Sequence, residues 1–81
     1  MKVAQVQALI EAGLPGSRVV VRSDDETHFE AVVVAPQFTG QRPLTRHQLV
    51  YAALGGVVGR ELHALSIEAY TPAEWAARGG S

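Results

Sequence analysis

The chain has 81 residues and no cysteine, with a formal net charge of −1. That length predicts a single domain, residues 1–81, and the missing cysteine excludes disulfides, thiol catalysis and cysteine-ligated metal, so any ligand must be His, Asp or Glu. Near-neutral charge disfavours a dedicated nucleic-acid binder, whose affinity rests on neutralising phosphates.

Met1-Lys2 leads directly into an amphipathic segment, so neither a signal peptide nor a membrane span is expected, and the cytoplasm is the expected location. Val3, Val6, Leu9, Ile10 and Leu14 form one helical stripe. Residues 1–16 therefore read as an N-terminal helix with its cap. Gly13 is expected to stop it in a left-handed conformation, with Pro15 beyond.

Ser17–Ser23 reads as a first strand, "DDET" as a polar turn and His28–Ala35 as a second strand, together an antiparallel hairpin. In the loop "PQFTGQRPL", Phe38 is the expected anchor. Thr45 with Gln48 forms a capping box, and Leu44 with Leu49 a hydrophobic staple, so a helix is predicted from Thr45. Its stripe of His47, Val50, Tyr51, Leu54, Val57 and Val58 runs through Gly55-Gly56 to about Gly59. The glycine pair reads either as a soft helix end or as a close approach to the sheet.

"ELHALSIEAY" alternates with period two. His63, Leu65, Ile67 and Ala69 share its first face, so an apolar strand face opens on a histidine. A last helix starts after Thr71, with Pro72 first, Glu74 closing a capping box, and Tyr70 and Trp75 in staple positions. Residues 79–81 are expected to fray.

The order α-β-β-α-β-α predicts an α+β domain: a three-stranded mixed sheet, its second and third strands parallel, with helices largely on one face. Parallel neighbours would bring His28 and His63 to the same end of the sheet, with strands about 4.8 Å apart, where two imidazoles can share a metal or ligand. Two histidines are too few for a closed zinc site. His47, in the first turn of the following helix, is expected near the opposite end in a packed or capping role. Asp24, Asp25 and Glu26 read as solvated turn residues, the serines lack nucleophile context, and nothing argues for an enzyme.

The segment "THFEAVVVAPQFTGQRPLTRHQLVYAAL" followed by "LHALSIEAYTPAEW" closely resembles the BolA family over about Ser23 to Trp75. Its most specific pieces are His28-Phe29, Phe38-Thr39-Gly40, Arg46-His47 with Tyr51, His63-Ala64-Leu65, and Tyr70-Thr71 with Glu74-Trp75. The resemblance implies a fold like the class II KH domain and a monothiol glutaredoxin as partner. It also implies a shared [2Fe-2S] cluster, held by the glutaredoxin cysteine, a glutathione thiol and this chain, with none bound by the isolated chain. His63 matches the family's C-terminal histidine ligand; His28 is the expected second ligand. Some family members are DNA-binding regulators of morphology and stress genes. For that alternative Arg42, Arg46, Thr45 and His47 form the candidate surface. Self-association is expected to be weak at most.

Overall fold

Val6, Ile10 and Leu14 recur four residues apart, and that spacing decides which side of the first helix is buried. In a computed structural model describing residues 1–58, 62 and 64–79, α1 (Val3–Gly13) buries Val6 and Ile10 completely. Strands β1 (Arg18–Arg22) and β2 (His28–Val34) pair antiparallel, from Arg18 opposite Val34 to Arg22 opposite Glu30. Strand β3 (Ala64–Tyr70) pairs parallel to β2, giving the sheet order β1-β2-β3. Between β2 and β3 lie a 3-10 turn (Pro36–Phe38), helix α2 (Pro43–Leu54) and a second 3-10 turn (Gly55–Val57); α3 (Pro72–Ala77) follows β3. The predicted element order and mixed sheet are observed.

Alternation sorts the sheet. Val19, Val21, Phe29, Ala31 and Val33 join Val6 and Ile10 of α1 and Val50 and Leu54 of α2 in the core, with Leu65, Ile67 and Ala69 packed against it. Burying each large apolar side chain contributes about 1.5–3 kcal/mol. The opposite face carries Arg18, Arg22 and Val20, and Val20 remains 57% exposed. Helix α3 departs from the one-face expectation. Its Trp75 shares a shallow groove with Val20, Val32 and Val34. The cause is local: Tyr70 alternates onto the outer face and its ring centroid lies 5.2 Å from that of Trp75, so the predicted staple draws the helix there. Thr71 accepts from Glu74 N–H while Glu74 accepts from Thr71 N–H, the predicted capping box.

Helix α2 corrects several expectations. It begins at Pro43 rather than after a Thr45 cap, because proline's fixed φ suits the first helical position and needs no N–H partner. Thr45 and Gln48 therefore form no capping box, and Leu44, 70% exposed, forms no staple. The helix ends at Leu54, not near Gly59, which lies outside the described residues along with Arg60, Glu61, His63, Gly80 and Ser81. Gly55 has φ +63°, and a Cβ there would meet nothing within 4 Å, so Gly55 marks a helix end and not a close approach. The buried stripe accordingly runs through Val50 and Leu54, leaving Tyr51 and Val58 exposed.

The close approach belongs to Gly13. Helix α1 ends there as expected, but Gly13 has no positive φ. A Cβ on Gly13 would collide with Ala53 Cβ and lie 2.8 Å from Ala53 Cα, so glycine is required where α1 crosses α2. Alanine elsewhere in a helix gains about 1 kcal/mol over glycine. Gly13→Ala is expected instead to destabilise by about 1–2 kcal/mol in a urea titration, and Ala53→Gly in the same chain should recover most of that loss.

Candidate functional site

The turn between β1 and β2 is organised by side chains. Ser23 Oγ donates to His28 O at 2.6 Å and accepts from Glu26 N–H at 2.9 Å. Glu26 takes a left-handed conformation, φ 59°, and its carboxylate lies 3.0 Å from Lys2 Nζ, tying the turn to the start of α1. Asp25 is the hub. Its Oδ1 accepts from Thr27 N–H and His28 N–H, both at 2.9 Å, and its Oδ2 lies 2.9 Å from His28 Nδ1. The His28 N–H bond, the His28 ring and the Thr27 N–H hold the Asp25 carboxyl well below the usual carboxylate range.

The His28 side chain is 75% exposed. It borders an open depression of about 830 Å³ walled by Arg22, Ser23, Phe29, Leu65 and Ser66. The parallel register sets His28 opposite Ala64. His28 therefore shares the outer face with Glu30 and Ser66, while Phe29 and Leu65 turn inward. His63 precedes Ala64 in the chain and lies outside the described residues. His47 falls in the second turn of α2, not the first, because the helix starts earlier, and it is half-buried.

Arg46 does not lie on an open surface as the nucleic-acid alternative requires. Its side chain is 12% exposed. Nε donates to Gln41 O at 2.9 Å, and one terminal nitrogen donates to Ala69 O at 3.2 Å and to Glu74 Oε1 at 2.6 Å. The other donates to Glu74 Oε2 at 3.0 Å. The guanidinium thus joins α2, β3 and α3. Arg42 is exposed at the N-cap of α2, and Thr45 is half-buried.

Arg46, with help from Thr71 N–H, holds the Glu74 carboxyl at about 2, below its usual 4.5. A carboxyl depressed on folding stabilises the protein fully above its unfolded value, and that contribution is lost as pH falls towards the folded value. Asp25 acts in the same sense. Stability is expected to be level above about pH 5 and to decline as pH falls from 4.5 towards 2, read from denaturant midpoints across that window.

Sequence reasoning missed two of these interactions, Asp25 with His28 and Arg46 with Glu74. Asp25 sits in an Asx turn, but Asp24 and Glu26 beside it carry the same local signal, and only the folded turn singles it out. Arg46 and Glu74 stand 28 positions apart and carry no local signal.

The profile for BolA-like proteins matches residues 11–74. The chain belongs to the BolA-like protein family. A solved BolA homologue from Coxiella burnetii superposes with a TM-score of 0.84 at 47% identity, covering 94% of this BolA-like chain and 97% of that one. Human BolA-like protein 1 is 54% identical over 50 residues, 62% of this chain and 36% of the human protein. The Escherichia coli K12 protein named DNA-binding transcriptional regulator BolA is 40% identical over 55 residues, 68% of this chain and 52% of its own length. The match thus spans from about a third to a half of these two relatives.

Proposed function

We propose that this BolA-like chain binds a monothiol glutaredoxin and shares a [2Fe-2S] cluster with it, in iron–sulfur trafficking or iron regulation. His28 and His63 would supply imidazoles from this chain; the glutaredoxin cysteine and a glutathione thiol would supply the rest. The observation that carries the proposal is the Asp25–His28 pair, because metal-binding histidines commonly place their second ring nitrogen on a carboxylate. The donor chemistry suits a shared cluster: an exposed imidazole beside an open depression. Exchanging thiolates for neutral imidazoles raises a cluster's reduction potential.

Reconstitution with a monothiol glutaredoxin, iron, sulfide and glutathione tests this reading. Visible absorption and circular dichroism of the complex should change in both His63→Ala and His28→Ala. Spectra identical to wild type in both variants would sink it.

The name of the Escherichia coli relative supports a second reading, DNA binding. The helix α2 surface would have to act mainly through Arg42, since Arg46 is held by Glu74. Duplex binding that strengthens at low salt, with a salt slope about one unit shallower in Arg42→Ala, supports it. No binding at low salt rules it out.

A further inference from the structure

We propose that Asp25 is a positioning residue that fixes the ring tautomer of His28, placing the proton on Nδ1 and turning an unprotonated Nε2 outward. The geometry is that of the Asp25 turn. An ionised carboxylate has only lone pairs to offer, so the 2.9 Å contact between Asp25 Oδ2 and His28 Nδ1 requires the proton on Nδ1. A neutral imidazole carries one ring proton, and Nε2 is left as the acceptor. The carboxylate cannot swing away easily, since its Oδ1 already accepts the N–H groups of Thr27 and His28. One side chain therefore shapes the turn and selects which nitrogen can take a metal. That Nε2 then serves as a cluster ligand rests on the proposed function; the tautomer itself does not.

Asp25→Asn separates the two roles. The amide oxygen can still accept from Thr27 and His28, while the amide nitrogen would face Nδ1 and donate to it. The turn survives and the tautomer reverses, leaving the proton on Nε2.

The test is nitrogen-15 NMR of the metal-free chain, labelled at histidine, at a pH where His28 is neutral. Wild type should show a protonated Nδ1 and a bare Nε2, and Asp25→Asn the reverse. Reconstituted with glutaredoxin, Asp25→Asn should weaken His28-dependent cluster binding by about 10–100-fold. The wild-type spectrum needs no variant. If it shows the proton on Nε2, or if Asp25→Asn leaves it on Nδ1, the inference falls. If the tautomers behave as expected but His28→Ala leaves the reconstituted spectrum unchanged, His28 ligation fails and Asp25's role stands.

Discussion

Phe38→Ala is expected to lower the melting midpoint by roughly 15 °C or more, from a loss of about 3–5 kcal/mol. Phe38 is 0% exposed, yet it comes from a connecting segment. The 3-10 turn that carries it is closed by Phe38 N–H donating to Ala35 O, and Phe38 O then accepts from Gln41 N–H. The ring enters the core of α1, α2 and the sheet and so fixes where the chain turns from β2 into α2. Small domains hold only about 5–15 kcal/mol in total, so this truncation removes a large share. Calorimetry decides it: a fall below 5 °C would mean that the segment collapses into the space the ring leaves.

Arg46→Ala is expected to lower the midpoint by roughly 10 °C. The guanidinium makes four hydrogen bonds, to Gln41 O, Ala69 O and both oxygens of Glu74. It also sits 6.0 Å from the centre of the Phe38 ring, joining the two features. Removing it takes the Ala69 carbonyl's side-chain donor and leaves the Glu74 carboxylate only the Thr71 N–H. Arg46→Lys should recover less than half of the loss, because a single ammonium cannot reproduce a planar fork. Arg46→Ala should also flatten the acid decline between pH 4.5 and 2, since Glu74 then loses the main cause of its low value. An unchanged midpoint with an unchanged acid profile would show that the ion pair contributes nothing in solution.

What could be read from the sequence was what neighbouring residues decide among themselves. Valine-rich runs on either side of a polar turn indicated the first two strands, period-two alternation indicated the third, and Thr71, Pro72 and Glu74 announced α3 because a cap is made within four residues. The start of α2 was missed because two local signals competed, and Pro43 at the first helical position prevailed over Thr45 with Gln48. Gly13 was read by its conformational freedom, whereas its need for glycine comes from Ala53, 40 positions away. The Arg46–Glu74 clamp was hidden for the same reason. In the candidate site the sequence indicated His28 and the sheet end it occupies. It concealed Asp25 among three consecutive acidic residues that look equally solvated, and only the folded turn separates the hub from its neighbours.

Pulsed EPR on the reduced cluster of the glutaredoxin complex, with only this chain labelled at histidine with nitrogen-15, tests cluster sharing most directly. Imidazole nitrogens bound to iron give strong hyperfine couplings that change with the isotope. The expected result is two such couplings from this chain, one lost in His28→Ala and the other in His63→Ala. A cluster showing no coupling to labelled nitrogen would contradict ligation by this chain and, with it, the proposed function.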